Sequence, residues 1–341
     1  MPSVVISASL AYDRIMTFRG SFKDHILPEK AHVLSVSFLL DSLRLLRGGI
    51  AGNIAYNLAL LGEPVAVVGA AGYDFGDYRA AFTELGIDTS LVRQVAEEPT
   101  ASAFLMSDLD DNQIAAFYPG ASVHAAEISV RDIGQHARYG VVGATTPDAM
   151  RKHVAEFAAI GLPYVYDPSQ QLVVLPPDDL LAGIETAAVV VGNDYELAML
   201  GRKTGLGVDD IAARVPLVVV TYGEQGSELL RGGQTVRVPA AKVEKVVGPT
   251  GAGDAYRAGL LKGLLLGLDL DVTGRLAAVA AAYAVEQHGT QEHTFTPEEF
   301  VARFDATFPD YAGAIAGQDL SSAASNGTAA TSAAAAPATR A

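Results

Sequence analysis

The sequence predicts an α/β fold with three α/β/α layers, a mostly parallel central sheet and a small separate β-sheet lid. Short apolar runs rich in Val and Ile recur along the chain, and helical stretches separate them from about residue 60 onward. Continuous apolar strands joined by helices are typical of a parallel sheet that is covered on both faces. Residues 14–47 and 100–120 interrupt this rhythm, and we assign them to the lid.

The predicted elements follow one another along a single domain, residues 1–316. Strands of the main sheet are expected at residues 4–7, 65–69, 139–143, 164–166, 187–191 and 217–220, with helices at 147–160 and 193–200. In the lid, alternating patterns at 101–107 and 113–118 predict antiparallel strands. An Ala-rich helix is expected from Arg275 to Gln287. Residues 317–341 have almost no large apolar side chains, which predicts a disordered tail.

Composition excludes several classes of protein. The chain has 24 basic and 39 acidic residues, a net charge of −15, so we expect no basic surface for nucleic acid or an anionic membrane. It has no cysteine, which removes disulfides, thiolate catalysis and zinc–sulfur sites. No apolar run approaches the roughly 18 to 20 residues of a membrane-spanning helix. We therefore expect a cytoplasmic protein.

The most informative motif is the segment 248–259, with the sequence GPTGAGDAYRAG. Gly251 and Gly253 allow backbone N–H groups to turn toward an anion, and a helix that opens near Ala252 adds unpaired donors. Asp254 follows this turn, where a carboxylate could accept the proton of an attacking hydroxyl during phosphoryl transfer. The alternative interpretation is a glycine turn whose Asp only caps the helix.

Another glycine-rich segment lies nearer the amino terminus, at residues 47–55, with the sequence RGGIAGNIA. We call it the first glycine motif, and the segment 248–259 the second glycine motif. Gly48 and Gly49 permit close approach of the backbone to a ligand, and the Asn53 amide offers both a donor and an acceptor to hydroxyls. An ordinary helix start would have a similar pattern. Together the two segments resemble the two signatures of the ribokinase-like (PfkB) carbohydrate and nucleoside kinases.

The resemblance implies a ribokinase-like fold and transfer of a phosphoryl group from ATP. Asp254 would be the catalytic base, and the backbone of Gly251, Ala252 and Gly253 would form the anion hole. The sequence contains no Walker loop, and Tyr256 replaces the third glycine of a Rossmann fingerprint, so neither of those phosphate motifs applies.

Two weaker matches follow predicted strands, and the resemblance assigns them to the nucleotide side. Asn193 and Glu196 resemble an Asn-x-x-Glu pair that organises Mg²⁺ through water, although the same pair would also form a helix capping box. Residues 221–226 resemble a turn that touches ATP phosphates, although such a turn more often only joins two elements. The implied nucleotide residues are Asn193, Glu196, Thr221, Gly223, Gly226 and Thr250.

The resemblance also implies a set of substrate residues at the lid. Asp13 follows the first strand, where the family keeps a carboxylate that accepts from both hydroxyls of a diol. Phe117 offers a face on which a purine can stack, or else it is a core residue of the lid. The implied substrate residues are Ser9, Asp13, Ser37, Gly49, Asn53, Phe117 and Gln170, with Gln171 as a weaker candidate.

Four short segments, 36–39, 117–121, 167–171 and 289–292, are more similar to bacterial adenosine kinases of the mycobacterial type than to ribokinase. The hypothesis is therefore phosphorylation of a nucleoside 5′-hydroxyl, adenosine to AMP in purine salvage, with ATP and Mg²⁺. A sugar kinase for ribose or fructose and a non-catalytic ligand-binding member of the fold are the alternatives. An exposed apolar face on the lid would favour a homodimer.

Two positions depart from the family pattern. Gly248 stands where many members have Asp, which argues against tight activation by a monovalent cation. Val174 stands where relatives with the segment 167–171 have an Arg, so another cation, such as Arg257, would have to serve at the phosphates.

Overall fold

The computed structural model describes residues 1–26, 35–110, 112–318 and 320. Its strands are β1 (Val4–Ser7), β2 (Ala11–Thr17), β3 (Ser42–Gly48), β4 (Val65–Ala71), β5 (Asp88–Gln94), β6 (Ala101–Ser107), β7 (Gln113–Tyr118), β8 (Tyr139–Gly143), β9 (Tyr164–Asp167), β10 (Val189–Asn193), β11 (Leu217–Thr221), β12 (Ser227–Arg231) and β13 (Gln234–Val238). Its helices are α1 (Ile50–Leu60), α2 (Gly76–Glu84), α3 (Arg131–Gly134), α4 (Pro147–Ile160), α5 (Pro177–Thr186), α6 (Asp194–Thr204), α7 (Val208–Ala212), α8 (Ala252–Leu266), α9 (Leu270–Val285) and α10 (Pro297–Thr307).

In the described part of the chain, the large sheet has nine strands in the order β13-β12-β11-β10-β9-β8-β1-β4-β5. The seven strands from β11 to β5 run parallel, and β12 and β13 continue the sheet as an antiparallel edge. Two clusters of buried apolar side chains fill the two faces of the sheet. The predicted α/β fold with a mostly parallel central sheet is confirmed.

As far as its residues are described, the lid is a four-stranded sheet in the order β3-β2-β6-β7. The prediction of a fully antiparallel lid is wrong for one pair, because β2 and β6 run parallel. These two strands leave the main domain side by side, with Ala11 paired to Ala101, so they must run in the same direction. The lid also begins earlier than the predicted residue 14, and Asp13 therefore lies within it.

The helix that carries the second glycine motif is packed closely against its successor. A methyl group at Gly259 of α8 would lie 2.6 Å from the Cα of Ala277 in α9, so the contact requires a glycine. Helix α9 begins at Leu270, five residues before the predicted Ala-rich stretch, and packs against α8. Among the residues that the structure describes, no helix combines the length and apolar character that a membrane span requires.

At the carboxyl end, the hydrophobic core continues past the predicted domain boundary. Leu320 is only 2% exposed and packs with the core, although it lies in the segment predicted as a tail. The rest of that tail, residues 321–341, lies outside the described residues. Part of the predicted lid, residues 27–34, also lies outside them.

Candidate active site

The carboxyl ends of the parallel strands face a cavity of about 530 Å³. Strands β10 and β11 end at Asn193 and Thr221, and both of these residues and the start of α8 line the cavity. This edge is where open α/β sheets bind ligands. The described lining residues are Ile50, Ser169, Gln170, Asn193, Asp194, Tyr195, Glu196, Thr221, Gly223, Gly251, Gly253, Asp254 and Arg257.

The second glycine motif forms the start of α8. Gly251 is the N-cap residue, with φ 85°, a left-handed conformation that favours glycine. The helix then opens at Ala252, whose N–H donates to the backbone oxygen of Pro249 at 3.3 Å, and the first N–H groups of an α-helix have no partners within the helix. Gly251 and Gly253 line the cavity, whereas Ala252 is not among the described lining residues. An irregular segment, residues 239–250, leads into this turn. Asp254 is the third helical residue, one turn past the cap.

Asp254 meets the first glycine motif through a hydrogen bond between two helices. Asn53 of α1 donates from Nδ2 to Asp254 Oδ2 at 2.8 Å, across 201 residues of sequence. Burial raises the pKa of Asp254 to about 6, although Arg257 and the Asn53 amide act in the opposite direction. A carboxylate with a pKa near neutrality is suited to accept a proton at physiological pH.

Two residues that the sequence analysis gave no role hold Asn53 in place. Gln291 donates from Nε2 to Asn53 Oδ1 at 3.1 Å and to the Tyr78 hydroxyl at 2.7 Å. The Tyr78 hydroxyl in turn donates to the backbone oxygen of Gly48 at 2.8 Å. Gln291 lies in one of the segments that resemble adenosine kinases, but no feature of the sequence singles out Tyr78.

Arg257 lies on the next turn of α8 and is buried. It forms an ion pair with Asp167, with Arg257 Nη2 to Asp167 Oδ1 at 2.9 Å and Nε to Oδ2 at 2.5 Å, and its Nη2 lies 3.9 Å from Glu196. A methyl group at Gly253 would lie 2.5 Å from Arg257 Nη1, so this glycine leaves room for the guanidinium. Burial alone would lower the pKa of Arg257, but Asp167, Asp254 and Glu196 raise it above its ordinary value.

Asp167 is itself a buried carboxylate. It received no role from the sequence, although it directly follows the predicted strand 164–166 and begins the segment 167–171. It accepts a hydrogen bond from the hydroxyl of Ser169 at 2.7 Å. Ser169 has φ 40°, the one described non-glycine residue with a positive φ. Strained backbone of this kind concentrates at functional sites, and this residue lines the cavity.

The predicted nucleotide residues are only partly brought together. Asn193 and Glu196 form a complete capping box at the start of α6, and both line the cavity. Their role at Mg²⁺ stays a prediction, with which the capping box does not conflict. Thr221 and Gly223 also line it. Burial, followed by the charge of Asp167, raises the pKa of Glu196.

The other two predicted nucleotide residues stand apart from the described lining. Gly226 lies in the turn between β11 and β12, where a side chain would collide with the backbone oxygen of Val238. Thr250 is exposed, immediately before the α8 cap. Of the described residues, no group of three or more His, Cys, Asp or Glu side chains is arranged to hold a metal ion. Glu196 lines the cavity together with Asp194 and Asp254.

The lid brings Asp13 and Phe117 to one face. Asp13 is paired with Ala103, and Ala103 is paired with Phe117, so all three side chains point to the same side of the lid. Two strand spacings separate Asp13 from Phe117, about 10 Å. Phe117 is 58% exposed, so it is not a core residue of the lid. Burial raises the pKa of Asp13 to about 6, and its carboxylate lies against Gly48, where a methyl group would be 2.5 Å from Oδ2.

The remaining predicted substrate residues have varied positions. Ser9 accepts hydrogen bonds from the first N–H groups of α1, through Oγ from Ile50 at 3.2 Å and through its backbone oxygen from Ala51 at 2.9 Å. Gly49 caps that helix with φ 86°. Gln170 is exposed at the cavity, whereas Ser37 is exposed in the irregular segment before β3 and is not among the described lining residues.

Comparison with known proteins identifies the family. Residues 17–297 match the model of the pfkB family of carbohydrate kinases. The chain belongs to the pfkB family. It is also 33% identical over 276 residues to the nucleoside kinase of Methanothermobacter thermautotrophicus, covering 80% of this chain and 89% of that protein. As a family member it is a phosphotransferase that acts on a hydroxyl group.

Solved structures of this family agree with the fold. Burkholderia thailandensis nucleoside kinase in complex with inosine has a TM-score of 0.82 and 36% identity, and the match covers 90% of this chain and 98% of that one. The same kinase in complex with ADP-inosine has a TM-score of 0.80 and 38% identity, covering 90% and 96%. These relatives are named as nucleoside kinases, so the finer resemblance to adenosine kinases is a matter for proposal.

Proposed function

We propose that this pfkB kinase transfers the γ-phosphoryl group of ATP to the 5′-hydroxyl of a purine nucleoside, with adenosine as the first candidate and inosine as the second. The observation that supports it most is the arrangement of Asp254 at the start of α8, held by Asn53 from the other glycine motif. The nucleoside kinase relatives, one of them in complex with ADP-inosine, support the same choice of donor and acceptor.

In this proposal Asp254 accepts the proton of the 5′-hydroxyl while the hydroxyl oxygen forms a bond to the γ-phosphorus. The bond between that phosphorus and the bridging oxygen of ATP breaks, and ADP leaves. The N–H groups of Gly251, Ala252 and Gly253 stabilise the charge on the migrating group, because the start of a helix favours anions. Arg257 adds a fixed positive charge on the same wall of the cavity.

Magnesium fits the residues of this cavity as a water-held ion. Glu196 would hold it through water, together with phosphate oxygens of ATP, because Mg²⁺ retains much of its hydration shell. When bound, the ion would neutralise charge on the phosphates. The carboxylate oxygen Glu196 Oε2 already accepts from the Asn193 N–H at 2.8 Å, which orients the group toward the cavity.

The proposal of a nucleoside acceptor depends on Asp13 and Phe117. A carboxylate that accepts from the ribose diol, with an exposed aromatic ring about 10 Å away on the same face, matches the two ends of a nucleoside. A free sugar would use only the first of these two residues. The sugar-kinase alternative therefore predicts a different dependence on Phe117.

An acceptor screen with ATP and Mg²⁺ tests the proposal, with adenosine, inosine, guanosine, cytidine, ribose and fructose. Phe117→Ala should lower kcat/KM for purine nucleosides about ten- to a hundredfold, the cost of one stacking contact of about 1–3 kcal/mol, and leave sugars unaffected. Asp13→Ala should impair every acceptor. If the wild type prefers ribose or fructose, or if Phe117→Ala impairs all acceptors equally, the sugar-kinase alternative is correct. If no phosphoryl transfer from ATP to any of these acceptors is detected in the presence of Mg²⁺, the result favours the non-catalytic alternative.

We also propose that two copies associate through the outer face of the lid. Among the described residues on the side opposite Asp13, four large apolar side chains are 36–62% exposed, and they belong to the lid strands β3, β6 and β7. They are Leu43, Leu45, Phe104 and Ile114. An exposed apolar sheet face of this kind favours association in solution. For location we retain the cytoplasm, because the proposed reaction draws on ATP.

A further inference from the structure

We infer that Gln291 and Tyr78 are positioning residues, which fix the amide of Asn53 so that its N–H group faces Asp254. The inference rests on the proposed role of Asp254 as the base. It assigns a function to the chain of hydrogen bonds that runs from the backbone oxygen of Gly48 to Asp254.

The direction of each hydrogen bond in this chain follows from the one before it. The backbone oxygen of Gly48 can only accept, so the single hydrogen of the Tyr78 hydroxyl must point to it, at 2.8 Å. Toward Gln291, at 2.7 Å, the Tyr78 oxygen can then only accept. The group of Gln291 that faces Tyr78 must therefore be its NH₂ group.

The same NH₂ group decides the orientation of Asn53. Gln291 Nε2 also lies 3.1 Å from an atom of the Asn53 amide, which must accept and is therefore Oδ1. The other end of that amide, Nδ2, is left to donate to Asp254 Oδ2 at 2.8 Å. In the reverse orientation the Asn53 oxygen would face the Asp254 carboxylate, and two acceptors would repel each other.

The surroundings show that this arrangement is built into the packing. Gln291 is 2% exposed and Tyr78 is fully buried. A methyl group at Gly52 of α1 would overlap the Tyr78 hydroxyl and lie 2.9 Å from Gln291 Nε2, so the glycine of the first motif leaves room for the chain. Gln291 Oε1 is buried without a hydrogen-bond partner among the described residues, which is unfavourable for stability. Gln291 is thus better explained by the orientation it imposes than by the stability it adds.

This chain of hydrogen bonds, from Gly48 through Tyr78 and Gln291 to Asn53, should lower the pKa of Asp254. The charged groups that face this carboxylate are Arg257 on α8, Asp167 at the end of β9 and Asp13 on β2. None of them changes when Gln291 is replaced by a neutral residue. Loss of the fixed Asn53 donor would therefore appear as a higher pKa of Asp254, because a hydrogen bond to the charged form lowers the pKa of a carboxyl group.

Gln291→Met and Tyr78→Phe test the inference, with the acid limb of kcat/KM for the best acceptor and ¹³C NMR of labelled aspartate as readouts. The Asp254 resonance is assigned from its loss in Asp254→Asn. We expect both variants to raise the pKa of Asp254 by about 0.5–1 unit, and kcat to fall about tenfold with little change in KM. Tyr164→Phe is the matched control, since that buried hydroxyl bonds Thr186 and Gly183 away from the site.

A double-mutant cycle adds the decisive comparison. In an Asn53→Ala background, Gln291→Met should not move the pKa of Asp254 further, because its route to Asp254 is gone. An unchanged acid limb and an unchanged Asp254 titration in Gln291→Met and Tyr78→Phe would overturn the inference, and so would an equal shift in the Asn53→Ala background. If the wild type phosphorylates no nucleoside, the proposed function fails, while the NMR titration still decides the inference.

Discussion

Asp254→Asn should slow the reaction and at the same time stabilise the fold. The substitution keeps the shape of the side chain, and the new amide oxygen can still accept the hydrogen bond that Asn53 donates at 2.8 Å. Only the negative charge and the capacity to take a proton are lost. Turnover should therefore fall by about 10² to 10⁴, with little change in KM for the acceptor.

The gain in stability follows from the pKa of Asp254, which burial raises from 3.8 to about 6. Above pH 6 the carboxyl is ionised in the folded and the unfolded chain, and its charge destabilises the folded state by up to about 3 kcal/mol, at about 1.4 kcal/mol per pH unit. Partial exposure to solvent reduces this figure. We expect Asp254→Asn to be more stable than the wild type by about 1–3 kcal/mol at pH 8, and the difference to shrink as the pH falls from 6 toward 4.

The assay combines steady-state kinetics with denaturant unfolding at pH 8, 6.5 and 5. Asp132→Asn, which removes an exposed carboxylate on α3, is the control and should change neither quantity. Turnover within tenfold of the wild type would refute the assignment of Asp254 as the base. A loss of stability at pH 8 would refute the argument that its buried charge is unfavourable. In the wild type, kcat/KM should fall as the pH drops through about 6, because Asp254 must be ionised to accept a proton.

Three further predictions concern other parts of the chain. Arg257→Met should destabilise the fold by about 3–5 kcal/mol, because it leaves the buried Asp167 unpaired. The double variant Arg257→Met with Asp167→Asn should recover much of the melting temperature but not the turnover. Recovery of both would show that Arg257 only neutralises Asp167. Leu45→Glu should shift the sedimentation coefficient from dimer to monomer, and a wild type that already sediments as a monomer would contradict the proposed association. A chain ending after residue 321 should melt like the full chain, whereas one ending at residue 317 should lose about 1.5–3 kcal/mol with Leu320, and equal melting temperatures would show that this leucine contributes nothing.

The sequence predicted those parts of the fold that depend on local pattern. Strands β6, β7 and β8 and helix α4 begin and end at the predicted residues. In each of them the apolar side chains follow a single repeat from end to end, and turn residues bound the segment. The parallel pairing of β2 with β6 was missed, since it depends on where two distant strands leave the main domain. Strands β12 and β13 were not predicted, although the turn at residues 221–226 was also interpreted as a connection between two elements.

The candidate site could be predicted only as far as its residues lie in the two glycine motifs. Asp254 and Asn53 each stood out in a short segment, but their contact spans 201 residues and follows from the packing of α1 against α8. The contact between Gln291 and Asn53 spans 238 residues. Tyr78 sits on a helix with no motif at all, so no local signal could have assigned it to the site. Asp167 could have been found as a carboxylate at the end of an apolar strand.

The structure gives the two motifs a second physical reason for their glycines. From the sequence, glycine at these positions meant backbone that can approach a phosphate or adopt a positive φ, and Gly49 and Gly251 have that conformation. Gly52 and Gly253 have ordinary helical backbone instead, and what they provide is space, for the Tyr78 hydroxyl with Gln291 Nε2 and for Arg257 Nη1 respectively. Each motif therefore serves both the ligand and the side chains that support Asp254. A substitution at Gly52 or Gly253 that left the backbone unchanged would still disturb the surroundings of Asp254. The new side chain would occupy the space that Tyr78 and Gln291, or Arg257, need in order to pack beside it.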